Sequence, residues 1–468
     1  MPNSLKYSIS VIFGLTCFIS AERGDLIEYN LQASMNLSEI QFILGLLGMA
    51  DNIPTYGISV FDIAYETEES DGTLDTLSGL VCIPVSNTLA FPIATYHHGT
   101  IILDEEAPSN NGFSMDNLEI ILIGLIMTPS GFIAIFPDYE GIGDPNEYHP
   151  YIVAEPYVSS VVDMIRSVKH LSQIIENEYR FQFNDQLFLF GYSEGGYATM
   201  AVQKGIETDY ADEFSVTASF PMAGPYDLGG TMVDYFLSIP SYPVPYYVPY
   251  VLTSHLWYYD ENPDFTAYFE PFWADTLPSL FDGTHSGSEI DNLMPSNPLD
   301  ILLPEVLEEF EDNEGHFFRI HLNENTLLDW VPQNPTYLFH GMGDDIIPYE
   351  NAQVAYDTFI ANGASEDMVN LTLYPEAMGG HAELAIPCIL GSYNVILAYQ
   401  ALSPKGDMNS DGQLTIEDSG LLVDSILEEN ELTEFQWWAG DADTDDSHSV
   451  LDLLLVLDQI LVLDQIEN

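Results

Sequence analysis

Residues Leu187 to Met200 read LFLFGYSEGGYATM: an apolar run that stops at a glycine, then a lone serine, then a helix-like segment. Gln186 to Phe190 fits a short, fully buried strand, and Tyr197 to Lys204 fits the start of a helix. Glycines at 191, 195 and 196 let the backbone take a strained turn and let the helix pack close to neighbouring strands. Gly191-x-Ser193-x-Gly195 has the form of an elbow that holds a serine out as a nucleophile, and strand, sharp turn and helix are its required context. Without a base and an acid further along the chain, Ser193 would be an ordinary turn residue.

On either side of this stretch, strand and helix patterns alternate. Tyr56 to Thr67 and Leu77 to Val85 flank the turn signal Ser70-Asp71-Gly72, which predicts a hairpin. Phe91 to Tyr96 is strand-like and ends in His97-His98-Gly99-Thr100. A helix is expected over Leu118 to Met127, a strand over Gly131 to Phe136, a helix over Val158 to Ile175 and a strand over Val216 to Pro221. The rhythm resumes at Thr336 to Phe339 and Val369 to Tyr374. Such alternation predicts an α/β fold with a mostly parallel sheet covered on both faces. Residues about 225 to 330 interrupt it with aromatic, Pro-rich segments such as SYPVPYYVPYVL. They read as a helical cap inserted over the sheet. Their aromatics would line an apolar pocket or form the cap's own core.

In open α/β sheets the chemistry lies beyond the carboxyl ends of the strands. Ser193, Thr100, Asp344 (in HGMGDDIIP) and His381 (in YPEAMGGHAELAIP) each follow an expected strand there. A serine hydroxyl needs a base to take its proton as it attacks. Histidine has the right pKa for that, and a carboxylate fixes the imidazole tautomer and stabilises the imidazolium. Backbone N–H groups of Glu194 and Thr100 are the expected oxyanion donors. Asp345 rivals Asp344 as the acid. His98 reads as a brace for the oxyanion turn.

YHHGT, PDYEGIG, GYSEGG, GPYDLGGTM, HGMGDD and GGHAELAIP occur in this order over about residues 55 to 400. Together they resemble the secretory lipase group of the α/β-hydrolases. The resemblance implies a Ser193-Asp344-His381 triad, a capped sheet, and hydrolysis of carboxylic esters through an acyl-enzyme, with no catalytic cofactor. The D-x-x-x-P spacing of related hydrolases favours Asp344 over Asp345. Glu194 stands where relatives often carry Gln, and a carboxylate there implies repulsion of anionic substrates or a raised His381 pKa. Rival readings are a carbohydrate esterase, a prolyl-oligopeptidase-like peptidase, although no propeller repeat is visible, and a non-catalytic binding or scaffold protein on an inactive hydrolase fold.

With 74 acidic residues against 8 Lys and Arg, the formal charge is -66. There is no basic surface to meet phosphates, which argues against nucleic-acid partners. The 46% hydrophobic content allows a sizeable core. Residues 1–21 read as a signal peptide, with Lys6, an apolar run over Tyr7 to Ile19 and a small-residue site at Ser20-Ala21. The expected location is therefore secreted or cell-surface, with no integral membrane segment after signal removal. Cys82 and Cys388 would then be either a disulfide or two buried thiols.

Ser403-Pro404-Lys405-Gly406 marks an expected boundary, with the catalytic domain over 22–402 and a small α-helical module over 403–468. The module carries GDMNSDGQLTIED and GDADTDDSHSVLD. Asp407, Asn409, Asp411, Gln413 and Asp418, then Asp441, Asp443, Asp445, Ser447 and Asp452, have the oxygen-ligand spacing of EF-hand-type Ca²⁺ loops. Gly412 fits the sharp turn of the first loop, and Asp446 fills that position in the second. The pair resembles a type I dockerin, which implies two structural Ca²⁺ ions and a cohesin or cell-surface scaffold as partner. Ile416-Glu417 and Val450-Leu451 stand where cellulosomal versions usually have Ser or Thr.

Overall fold

The computed structural model describes residues 22–467 apart from 50–53, 70–71, 87, 115–116, 145–146, 261 and 428–431. The expected signal segment at 1–21 lies outside the described residues. The continuous apolar runs read as strands enter one sheet whose strands are β1 (Leu26–Met35), β2 (Ile58–Glu68), β3 (Leu74–Pro84), β4 (Leu89–His97), β5 (Ile133–Pro137), β6 (Phe183–Tyr192), β7 (Ala218–Met222), β8 (Thr336–Gly341), β9 (Val369–Tyr374) and the short β10 (Ser403–Pro404). Their order is β1-β2-β3-β5-β4-β6-β7-β8-β9, and β10 pairs with β4. From β5 to β9 every pairing is parallel, and β1-β2, β2-β3 and β3-β5 are antiparallel. The predicted hairpin is β2-β3. β1 was not expected from the sequence: it is an edge strand whose apolar residues do not segregate onto one buried face, with Ile27 and Leu31 exposed.

Parallel strands need crossovers, and the crossover helices cover both faces. On one face the helices Ala154–Ile174, Glu194–Asp209 and Glu350–Ala361 share a core with the cap. On the other, Leu37–Leu46, Leu118–Met127 and His381–Tyr399 pack around Phe136, Phe188 and Phe220. Cys82 and Cys388 belong to this second core as free, buried thiols, so the disulfide alternative does not hold. His381–Tyr399 is also the one helix among the described residues long and apolar enough to cross a membrane. It packs Leu384, Cys388 and Ile396 into the core.

The segment between β7 and β8 is helical and irregular, and includes the helices Val233–Ser238, Tyr247–Tyr259, Pro304–Asp312 and Phe317–Glu324. It lies over the carboxyl ends of the strands. Tyr235 and Tyr242 donate hydrogen bonds to the carbonyls of Asp345 and Ile346 in the loop after β8.

The C-terminal module has helices Ile416–Ile426, Glu434–Gly440 and Val450–Glu467. The expected boundary at Ser403-Pro404 is itself β10, with Ser403 opposite Ala90. Ala90 joins Met408, Leu422, Phe435, Ala439 and Val456 in one small core, and Ser410 Oγ donates to the carbonyl of Asn184 in β6. The module thus packs against the amino-terminal ends of β4 and β6, opposite the cap.

Candidate active site

β6 delivers Ser193 into a turn that few residues tolerate: φ 63°, ψ -123°. Its N–H donates to Met222 O at the end of β7, and Tyr197 N–H returns to Ser193 O, which fixes the elbow from both sides. The glycines explain how the turn fits. A Cβ on Gly195 would collide with the carbonyl of His97, and one on Gly196 with that of Met222. Only bare backbone lets the helix Glu194–Asp209 start this close to the ends of β4 and β7.

His381 opens the helix His381–Tyr399. Its Nε2 lies 2.8 Å from Ser193 Oγ and its Nδ1 2.6 Å from Asp344 Oδ2. Tyr192 holds the residue in place: its hydroxyl donates to His381 O at 2.7 Å, and its ring stands 4.9 Å from the imidazole. Asp344, whose side chain is fully buried, accepts the N–H groups of Ile346 and Ile347 on Oδ1, at 2.9 and 2.8 Å. The neighbouring Asp345 has a separate task, accepting the His381 backbone N–H at 3.1 Å. The ambiguity between the two acids therefore resolves geometrically: Asp344 meets the ring and Asp345 caps the helix.

Sequence reasoning overlooked His340. Its Nε2 is 2.9 Å from Ile347 O and 3.2 Å from Asp344 Oδ2. A carbonyl only accepts, so this nitrogen carries the proton, and Asp344 has donors on every side. Burial pushes the Asp344 carboxyl up, but hydrogen bonds from His340 and His381 outweigh it and hold the group well below the usual carboxylate range. The HG preceding GDD was the available signal, but it gives no direction for the ring. Two other histidines are disqualified as bases by burial: it drives His97 down to about 3 and His255 to about 4.

Gly195 packs on the carbonyls of His97 and His98, which brings the start of the helix Glu194–Asp209 against the segment that leads to Thr100. As the first residue of its helix, Glu194 has an N–H with no helical partner. The Thr100 hydroxyl meets Tyr151 OH at 2.9 Å. His98 stacks on Tyr139 and bonds the Gly99 carbonyl, as a brace would. Glu194 lines the cleft beside Ser193, while its side chain is buried and bonded to His149 Nε2 and Tyr157 OH, both at 2.9 Å.

Ser193 lines a cleft whose space, open to solvent, is about 750 Å³, walled by Leu228, Met232, Phe236, Val251 and Phe310 of the cap segment and by Ile346 and Ile347. The cap aromatics divide between the two expected places, with Phe236 and Phe310 in the wall of the cleft. Tyr242 and Tyr247 reach the cleft, whereas Tyr250 stacks between Tyr151 and Phe281 in the interior.

In the module the two loops share one design. Asp407 accepts the N–H groups of Asp411 and Gly412, and Asp441 those of Asp445 and Asp446. Asp418 reaches back to Met408, Asn409 and Thr415, and Asp452 to Asp443 and Ser449. Carboxylate oxygens of Asp441, Asp443 and Asp452 lie within 4.8 Å of one another, and a buried Asp443 oxygen lacks a hydrogen-bond partner. An all-oxygen donor set at this spacing fits a hard divalent cation such as Ca²⁺.

No family model matches the chain. The rice cell wall degrading esterase LipA of Xanthomonas oryzae is similar in structure, at 25% identity and TM-score 0.69 over 81% of this chain and 97% of LipA. A Legionella pneumophila protein matches at 26% identity and TM-score 0.70, over 80% of this chain and 98% of that one. Candida antarctica lipase A, 18% identical with TM-score 0.55, over 80% of this chain and 83% of the lipase, shares the fold. The non-reducing polyketide synthase mapC of Penicillium roqueforti is 24% identical over 203 residues, 39% of this chain. The chain spans only 8% of that synthase's length. The fold is therefore that of the α/β-hydrolases.

Proposed function

We propose that this protein is a serine hydrolase of carboxylic esters. Ser193 Oγ attacks the ester carbonyl while His381 Nε2 takes its proton, and Asp344 stabilises the imidazolium. The N–H groups of Glu194 and Thr100 receive the oxyanion. His381 then protonates the leaving alcohol, and water, activated in the same way, releases the acid. The reading rests above all on one observation: His381 spans Ser193 and Asp344 with both ring nitrogens in hydrogen-bond contact. An inactive relic of the fold would have no reason to keep this alignment.

The cleft favours esters with an apolar acyl chain, because aliphatic side chains form most of its wall. LipA is a cell wall degrading esterase, which supports a carbohydrate ester as the second reading. A series of p-nitrophenyl esters from acetate upward, assayed beside acetylated xylan, separates the two. We expect kcat/KM to rise with acyl length. Ser193→Ala should remove both hydrolysis and labelling by a fluorophosphonate, and activity persisting in a clean Ser193→Ala preparation would falsify the assignment.

The reading extends to both ends of the chain. Residues 1–21 would direct export. The loops at Asp407–Asp418 and Asp441–Asp452 would hold two structural Ca²⁺ ions through Asp407, Asn409, Asp411, Gln413 and Asp418, and through Asp441, Asp443, Asp445, Ser447 and Asp452. A cohesin or cell-surface scaffold is the proposed partner of that module.

A further inference from the structure

Three consecutive carbonyls follow Asp344 in its loop, and each receives a side-chain donor. Tyr235 and Tyr242 of the cap donate to Asp345 O at 3.2 Å and to Ile346 O at 3.1 Å, and His340 Nε2 donates to Ile347 O at 2.9 Å. A carbonyl only accepts, so the direction of each bond is fixed. The first two carbonyls matter for a further reason. Asp345 O belongs to the peptide that carries the Ile346 N–H, and Ile346 O to the peptide that carries the Ile347 N–H. Those two N–H groups are the ones that Asp344 Oδ1 accepts, at 2.9 and 2.8 Å. A trans peptide points its C=O and N–H in opposite directions, and among the described residues no peptide is cis. Each cap tyrosine therefore heads a two-bond chain that runs through one peptide and ends on the triad acid. We propose that Tyr235 and Tyr242 are positioning residues for Asp344, so that the cap completes the triad as well as walling the cleft.

The need for them follows from where the acid sits. Asp344 lies beyond the end of β8, in a loop whose peptides have no ladder to hold them. Side-chain donors take the place of the ladder. A donor on a carbonyl also polarises its peptide and makes the N–H on the other side a stronger donor. The cap tyrosines thus strengthen the two bonds that keep the carboxylate where His381 Nδ1 meets it at 2.6 Å. The tyrosines are themselves held. Tyr242 is 5% exposed, its N–H donates to Ser296 O at 2.9 Å, and its ring packs edge-on against Phe236 at 4.9 Å and Tyr235 at 6.3 Å. The root of the cap is tied to the helix that follows the same loop: Asn351 Oδ1 accepts the Asp227 N–H at 3.1 Å, just before the turn that leads into the helix Val233–Ser238. Tyr242, Ile346 and Ile347 also line the cleft, so the peptides that steady the acid are part of the substrate wall.

This inference rests on Ser193, His381 and Asp344 acting as the triad. The low-field proton resonance of the His381–Asp344 hydrogen bond reads the acid without any turnover. Tyr242→Phe keeps the ring and removes the donor, so Asp344 should accept the His381 proton more strongly and the resonance should move downfield. An unmoved resonance overturns the proposal. On p-nitrophenyl butyrate, Tyr242→Phe should lower kcat about 3- to 10-fold, the size of one hydrogen bond, with KM changed less than about 2-fold. Tyr235→Phe, whose bond is longer and nearer solvent, should lower kcat about 2-fold. A tyrosine that only fastened the cap would change stability and KM and leave kcat alone, and that result also refutes the proposal. In an Asp344→Asn background, Tyr242→Phe should cost less than about 2-fold more, and losses that simply multiply would show that the tyrosine does not act through the acid. If Tyr242→Phe does not fold, Tyr235→Phe decides by the same resonance. Failure of the parent to take a fluorophosphonate would count against Ser193 instead, leaving the resonance to judge the tyrosines.

Discussion

Two groups of aspartates sit at opposite ends of the sheet and are held by opposite means. Asp344 takes donors from its own loop and from His381, 37 residues away, and its ring partner depends on where β8 and β9 end. Asp407, Asp418, Asp441 and Asp452 take the donors described above from within their own short loops. The difference teaches where each site draws its rigidity. The triad geometry is a property of the whole sheet, whereas each acidic loop is a local turn held by its own backbone donors.

The sharpest way to break that comparison is at the acids after β8. Asp344→Asn should cut kcat about 10,000-fold, the cost of losing the tautomer-fixing carboxylate. Asp345→Asn, whose amide oxygen can still accept the His381 backbone N–H, should cost less than about 10-fold. Equal losses would mean that the two roles are misassigned. The same aspartate links activity to acid stability. Its folded pKa lies below the unfolded value of about 3.9, so its contribution is complete above that pH and disappears as pH falls through the folded pKa. Melting temperatures of the parent and Asp344→Asn should therefore keep their separation from about pH 6 down to about pH 4 and converge only as the pH falls further.

For the module, Ca²⁺ at about 100 times its Kd should stabilise the folded loops by about 2.7 kcal/mol for each of the two proposed sites. Calorimetry with and without chelator reads this directly. A shift confined to one transition keeps the two regions separate, and a shift shared with the hydrolase transition shows that β10 and the Ser410–Asn184 contact couple them. Next, His340→Phe should reduce kcat about 10-fold, or about 1.4 kcal/mol, and move the acidic limb of kcat/KM upward. Asp344 with one donor fewer pulls harder on the His381 proton. A fall in rate with an unmoved limb would reduce His340 to packing.

The smallest effect lies within the repeat. Asp446 has φ 62° where the first loop has Gly412 at φ 78°. Asp446→Gly should relieve the left-handed strain and stabilise the module by up to about 1 kcal/mol, visible as a small rise in its melting temperature.

The parallel strands, the elbow and the acidic loops were legible because each rests on residues close together in sequence. Val369 to Tyr374 appears as a strand with the expected ends, and Leu118 to Met127 as the expected helix. The edge strand β1 was not legible, since half-exposed polar and apolar residues leave no period to read. His149, Tyr157 and His340 were missed for a related reason: nothing in their neighbouring residues says which distant carboxylate their rings will meet.

By itself, the sequence determined the alternating α/β order, the glycines that a strained serine turn requires, and the oxygen-rich loops of the tail, since periodicity, steric freedom and ligand spacing are local properties. Only the tertiary structure decided which aspartate faces His381, where the Glu194 carboxylate points, and that the tail packs under β4 and β6. Those outcomes depend on how crossovers bring strand ends together, and on which buried polar groups find partners across the sheet.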